Sequence, residues 1–166
     1  MSYGPLTAGI AEGAFAYPQR PNMPNGGPMY PSAPVPTVAA PGGVIQGRFG
    51  FYDPATQYVR NVPTGPEPLV GVVLPQAGTW QRLYFDCVAM GWRVRAGYPV
   101  TLCTGGGFWL RFPDGAVAGQ ACYASAVDGT AVSGQPSGNV VTPWTVCSNA
   151  APGGLARVSS TAKFGA

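Results

Sequence analysis

The chain has 166 residues, which is enough for one domain with a buried core plus an additional segment but too few for two full domains. Only 9% of its residues are charged and its net charge is +3, whereas a typical soluble domain carries about 25% charged residues. Together with 46% hydrophobic residues, this composition predicts a surface that neighbouring molecules largely cover, and the scattered arginines argue against nucleic-acid binding.

Residues 1–41 differ from the rest of the chain because prolines interrupt them throughout. Each proline removes a backbone donor and fixes φ, so the segment is predicted to be neither a helix nor a central strand, apart from a turn near Thr7 to Phe15. We predict an extended arm with a reach of about 120 Å. A compact β-domain over residues 42–166 is expected to follow it.

The predicted arm also carries apolar side chains that a purely solvated tail would lack. Such side chains gain by docking into grooves on a partner, which favours an arm that becomes ordered on binding. A solvated tail is the alternative. The candidate partner-binding residues are Tyr3, Leu6, Ile10, Phe15, Tyr17, Met23, Met29 and Tyr30.

From Val44 onward, short alternating apolar runs are separated by Gly, Pro, Asn and Asp. This pattern predicts an all-β fold, a small barrel or sandwich of short antiparallel strands. Asp114-Gly115 and Asp128-Gly129 are predicted turns, and residues 105–107 a hairpin loop. The predicted strands are Val44 to Tyr52, Leu69 to Leu74, Trp80 to Val88, Arg93 to Arg95, Val100 to Cys103, Phe108 to Phe112, Ala121 to Ala126, Thr142 to Ser148 and Leu155 to Ser159.

Two strands carry candidate interface residues. Phe108, Leu110 and Phe112 fall on one side of their strand, so Trp109 and Arg111 fall on the other. The second strand holds the one cluster of basic and aromatic residues in the sequence. The candidate interface residues are Trp92, Arg93, Arg95, Trp109 and Arg111.

The sequence offers few residues that could act together as catalytic acids, bases or nucleophiles. The chain has no histidine, which excludes Ser-His-Asp and Cys-His arrangements. Asp53, Asp114 and Asp128 stand beside Pro or Gly, where turn capping is the expected role. Asp86 lies in an apolar run and is expected to face an arginine across the sheet; a catalytic role would require a second acid nearby. We predict a non-enzymatic protein with no cofactor and no metal.

The cysteines Cys87, Cys103, Cys122 and Cys147 lack the CxxC spacing and the histidines of a zinc site. No secretory signal pattern is present at the N-terminus, and no stretch reaches the roughly 18 apolar residues of a membrane span. We therefore expect synthesis in a cytoplasm and no membrane partner. The thiols are expected to stay reduced, as small core residues.

The runs Val94 to Thr101, Gly115 to Ala124, Trp144 to Cys147 and Gly154 to Ser159 resemble, in their order, those of the phage structural cement, or minor capsid, proteins. The resemblance covers about residues 44 to 160. It implies a compact β-rich domain on the outer capsid shell of the virion, often as a trimer, and an N-terminal segment that runs over the major capsid protein. The implied role is to stabilise contacts between major capsid protein subunits.

The tryptophans Trp80, Trp92, Trp109 and Trp144 support a second hypothesis. A head-fibre domain or a receptor- or carbohydrate-binding module would use surface tryptophans as stacking platforms. We favour core and interface roles for them because tryptophan is a common interface hot spot.

Overall fold

The computed structural model describes residues 37–65, 69–74, 85–88 and 91–160, and every helix or strand assigned among them is a β-strand. This confirms the all-β prediction. The turn predicted near Thr7 to Phe15 lies outside the described residues. The strands are β1 (Val38–Ala39), β2 (Val44–Ile45), β3 (Phe49–Asp53), β4 (Tyr58–Arg60), β5 (Leu69–Leu74), β6 (Phe85–Val88), β7 (Gly91–Val94), β8 (Thr101–Cys103), β9 (Gly107–Phe112), β10 (Ala121–Ser125), β11 (Ala131–Ser133), β12 (Asn139–Val146) and β13 (Gly154–Ser159).

The strands form three sheets, which we name by their position. The outer sheet has the order β11-β10-β12-β13-β9, the middle sheet β1-β4-β3-β5-β8, and the small sheet β2-β7-β6. All neighbouring strands are antiparallel except β1 and β4, which are parallel. The prediction of short antiparallel strands is therefore confirmed for nearly every pair.

The middle sheet is covered on both faces, because successive side chains of a strand point to opposite sides. Val72 packs in the core shared with the outer sheet, and the next residue, Val73, packs in the core shared with the small sheet. Cys103 and Leu102 on β8 divide between the two cores in the same way. Burial on both faces explains why β5 reads as a nearly continuous apolar run.

Two glycines make room for side chains in the core between the middle sheet and the small sheet. Gly50 and Gly71 lie opposite each other on β3 and β5. A Cβ on Gly50 would stand 2.5 Å from Val73 Cγ2, and one on Gly71 would stand 2.7 Å from both the Cys103 carbonyl oxygen and Leu102 Cγ. The middle sheet can pack so tightly only because these two positions have no side chain.

The middle sheet curls until the segment before β8 reaches β1. The amide of Ala39 donates to the carbonyl of Tyr98 (2.9 Å), and the amide of Val100 donates to the carbonyl of Thr37 (2.9 Å). Residues 37–40, which fall within the predicted arm, are therefore part of the β-structure, with Ala39 fully buried. The small sheet contributes Val44 and Val94 to the core inside this curl.

The outer sheet packs its inner face on the middle sheet around Trp144. The indole ring lies 5.4 Å from the Phe49 ring and 6.3 Å from the Phe108 ring, measured between centroids. Its Nε1 donates to the carbonyl of Gly106 (3.0 Å), which satisfies the one polar atom of the side chain. Phe108, Leu110 and Phe112 are buried here, as their alternation predicted.

A clamp of polar contacts joins the β10–β11 turn to the middle sheet. Arg48 Nη1 lies 3.1 Å from Asp128 Oδ2, and the amide of Phe49 donates to the carbonyl of Gly129 (2.8 Å). The Asn61 side-chain amide donates to the carbonyls of Ile45 and Phe49. Because Arg48 is almost fully buried, its charge depends on Asp128 for a partner.

The predicted strands agree with the structure where they are long and regular, and differ at their ends. β5 has the predicted bounds, whereas the first predicted strand divides into β2 and β3. The short strands β1, β4 and β11 were not predicted. Residues 105–107 do not form the predicted hairpin loop, because β8 belongs to the middle sheet and β9 to the outer sheet, so this loop crosses between sheets.

Candidate interaction surface

Four side-chain positions of β9 and β13 share the outer face of the outer sheet. We name them the outer quartet: Trp109, Arg111, Leu155 and Arg157. Register pairs Trp109 with Arg157 and Arg111 with Leu155. Arg111 Nη1 donates to the carbonyl of Gly153, which anchors the side chain along the edge of the sheet. The predicted interface residues Trp109 and Arg111 therefore do share a surface, and β13 adds two residues that the sequence did not reveal.

The same face continues across β10, β11 and β12 as a row of three apolar residues. Tyr123 lies in register with Val132 on one side and with Val141 on the other. Val141 is 73% exposed, although it belongs to a strand near the middle of the sheet. We name these three residues the apolar row. An exposed valine beside a half-buried tyrosine and a half-buried valine is typical of a surface that another molecule covers.

The charge on this face has one sign. The five strands of the outer sheet, all within the described part of the chain, contain Arg111 and Arg157 but no Asp or Glu. The acidic residues Asp114 and Asp128 lie in turns that connect these strands. On the strands themselves, this face therefore presents arginine and apolar side chains and no carboxylate.

The outer face rests on a rigid base. Thr142 donates its hydroxyl to the carbonyl of Cys122 and accepts from the amide of Trp144, and the pairing of β10 with β12 shifts register there. Pro143, which cannot donate to a ladder, occupies this irregularity within a central strand. The bulge explains why β12 extends through Pro143, which the sequence pattern placed near the start of a strand.

The other predicted interface residues belong to a different sheet. Trp92 and Arg93 lie on β7 in the small sheet, and Arg95 follows it as an exposed residue. Arg93 passes its side chain over Gly43, whose added Cβ would lie 2.8 Å from Arg93 Cγ. The structure therefore does not join these three residues with Trp109 and Arg111 into one patch.

Asp86 lies opposite Arg93 in the register of β6 and β7. This is the arrangement we predicted, a carboxylate residue with an arginine across the sheet.

The arm residues from Tyr3 to Tyr30 lie outside the described residues. Their predicted role in partner binding stays a prediction.

A shallow cleft of about 330 Å³ opens at one end of the outer sheet. Asp114, Gln120, Ser133 and Gln135 contribute its polar groups. The Ser133 hydroxyl donates to Gln120 Oε1 (2.7 Å), so part of this polarity is already satisfied within the protein. The cleft holds a single acidic residue, which is too few for a glycosidase pair.

Two of the turn aspartates cap turns as predicted. Asp53 accepts from the Thr56 hydroxyl and the Ala55 amide, and these bonds lower the pKa of Asp53. Partial burial opposes ionisation of Asp128, but bonds from Thr130 and Ser125, together with the charge of Arg48, hold its pKa below the ordinary value. Both carboxylates are thus used structurally, which leaves neither as a proton donor near neutral pH.

The cysteines behave as core residues where the structure describes their side chains. Cys103 and Cys122 are buried and free, and burial raises their pKa to about 11 and about 12. Cys147 is free and half-buried, with a raised pKa from the same cause. Among the described residues, no group of His, Cys, Asp or Glu is placed to hold a metal ion.

One of the four tryptophans considered as stacking platforms for a receptor or carbohydrate is excluded from that role. Trp144 is 1% exposed and lies in the core, so it cannot be a stacking platform. Trp109 is half-buried on the outer face, and the side chains of Trp80 and Trp92 lie outside the described part of the chain.

Comparison with known proteins identifies a matching family. The family described as XM1 gp53 minor capsid protein matches residues 7–160. A search of curated proteins found no similar sequence. In the part of the chain that the structure covers, no helix is long and apolar enough to span a membrane.

Proposed function

This chain belongs to the XM1 gp53 minor capsid protein family, and from that premise we propose that it is a cement protein that binds the outer surface of an assembled phage capsid. Family membership makes the chain a structural component of the virion that contacts other capsid components. We propose further that it bridges major capsid protein subunits, as a homo-oligomer, and has no enzymatic role.

The outer quartet carries this proposal. Trp109 stands between Arg111 on its own strand and Arg157 on the next, on a sheet whose other face is locked into the core. Tryptophan and arginine are the residue types most enriched at interface hot spots, and a rigid base reduces the entropy lost on binding. These features support a preformed protein-binding surface.

The energetic role of cementing follows from linkage. A ligand that binds only the assembled shell stabilises it by RT ln(1 + [L]/Kd), which is about 2.7 kcal/mol per site when the ligand is at 100 times Kd. Because a shell offers many equivalent sites, a modest affinity at each one suffices to raise the stability of the whole particle.

We propose that the N-terminal arm adds a second contact. Residues 37–40 belong to the β-structure, so the proposed arm ends before Thr37. Its aromatic and methionine side chains suit docking into grooves on the major capsid protein. We expect deletion of residues 1–36 to weaken particle binding while leaving the unfolding transition of the β-domain in place, because the pairing of Thr37 with Val100 is retained.

The test uses purified full-length protein and capsid particles that lack it. Saturable co-sedimentation, with a higher melting temperature of the decorated particles, is the expected result. A folded protein that does not sediment with the particles would overturn the cement role. Particle binding by the deletion variant that matches the full chain would overturn only the role of the arm.

A further inference from the structure

The apolar row and the outer quartet form one continuous face. Tyr123, Val132 and Val141 lie on β10, β11 and β12, and β13 and β9 follow in the same sheet. The β12–β13 pairing of Thr145 with Ser159 joins the two halves through small uncharged residues. The whole face therefore contains apolar, hydroxyl, amide and arginine side chains.

A second copy of the chain is a poor occupant for this face. Two copies meeting face to face would bring two arginines each into one contact, with no carboxylate from the outer-sheet strands of either copy. Like charges across an interface are unfavourable, whereas carboxylates placed opposite these arginines would be attracted. The charge of the face thus selects a different partner.

We infer that this face docks on a protein surface of the capsid lattice that combines apolar side chains with carboxylates. The inference rests on the proposed function and names the docking face and the chemistry of its partner. Val141 enters an apolar contact toward one end of the face, and Arg157 and Arg111 meet the carboxylates toward the other end.

Val141 offers a sharp test because it is 73% exposed and its change should not disturb the core. We compare Val141→Glu with Val141→Lys in the full chain, measuring affinity for particles that lack the protein. Both changes should weaken binding because an apolar contact is lost, and the loss should be about a hundredfold for Val141→Glu. Against an acidic partner, Val141→Lys should bind about tenfold more tightly than Val141→Glu at low salt.

The matched controls are Val127→Glu and Val127→Lys. Val127 is 81% exposed in the β10–β11 turn and lies off the face. Neither control should change binding. In 1 M NaCl, where the screening length falls to about 3 Å, the difference between the two Val141 variants should close. Circular dichroism and melting of the free proteins check that every variant is folded.

The outcomes separate the two proposals. If the unsubstituted protein does not bind particles, the proposed function fails. If it binds and Val141→Glu binds equally well, this face is not the docking surface. Equal losses for the two Val141 variants at low salt would overturn the acidic partner. A change in the sedimentation of the free protein, with particle binding intact, would assign the face to self-association and overturn the inference.

Discussion

The middle and outer sheets have five strands each but bury different numbers of faces. The middle sheet has apolar residues packed against both of its faces, whereas the outer sheet buries one face and leaves the other with exposed Val141 and half-buried Trp109. If the outer face docks as we propose, stability and recognition belong to different layers of this protein. Substitutions in the middle sheet should reduce stability, and substitutions on the outer face should reduce binding alone.

The largest expected effect concerns Gly71 in the middle sheet. Gly71→Ala places a Cβ 2.7 Å from the Cys103 carbonyl oxygen, and backbone cannot move aside as a flexible side chain can. We expect the free energy of unfolding to fall by about 3 kcal/mol, the upper part of the usual range for overpacking. Urea denaturation of the free protein measures this change.

Gly50→Ala is the matched control, because its closest contacts are side-chain atoms. The new Cβ would meet Val73 Cγ2 at 2.5 Å and Val59 Cγ1 at 2.8 Å. Val73→Ala should relieve much of the cost of Gly50→Ala and little of the cost of Gly71→Ala. A double-mutant cycle should show a coupling of about 1 kcal/mol for the first pair. Equal coupling for both pairs would contradict this account of the glycine positions.

A smaller effect is expected where the two sheets are clamped. Asp128→Asn removes the charge that faces buried Arg48 and should lower the free energy of unfolding at pH 7 by about 1 kcal/mol. Because the pKa of Asp128 is lowered in the folded protein, its contribution is complete above the unfolded pKa and is lost as the pH falls through the folded pKa. Denaturation midpoints from pH 7 down to pH 3 measure this dependence.

The difference between the unsubstituted protein and Asp128→Asn should therefore shrink below about pH 4, the region of an ordinary aspartate pKa. A difference that stays constant down to pH 3 would show that the ion pair is not its source. Asp53→Asn serves as a comparison, since Asp53 also caps a turn but lies away from the clamp and has no arginine bonded to its carboxylate in the described structure.

Local patterns in the sequence were enough to predict much of this fold. The alternation of side chains along β9 predicted that Phe108 and Trp109 lie on opposite faces of the sheet. The apolar, valine-rich run of β5 predicted both ends of that strand. Aspartate beside glycine or proline marked turns because those residues favour turn geometry wherever they occur. Such features depend on neighbours in the chain and need no knowledge of distant contacts.

The rest of the site depends on cross-strand pairing, which one sequence does not show. Arg157 faces Trp109 only because β13 pairs with β9 in one register, and the apolar row exists only because three strands align. Strands of two or three residues, such as β1 and β11, are too short to have a readable period. Their formation depends on tertiary contacts, such as the hydrogen bond from the Ala39 amide to the Tyr98 carbonyl.

The smallest effect we predict tests whether the two layers open together. Cys103 on the middle sheet and Cys122 on the outer sheet are both buried in the core between them. Burial also raises their pKa to about 11 and about 12, so reaction with a thiol reagent at pH 8 requires the two sheets to separate.

In a background of Cys87→Ser and Cys147→Ser, we expect both thiols to react at one common, slow rate. Asp128→Asn, which weakens the clamp by about 1 kcal/mol, should raise both rates about fivefold. Labelling of Cys122 well before Cys103 would mean that the outer sheet loosens within itself, and the separation of stability from recognition between the two layers would then have to be abandoned.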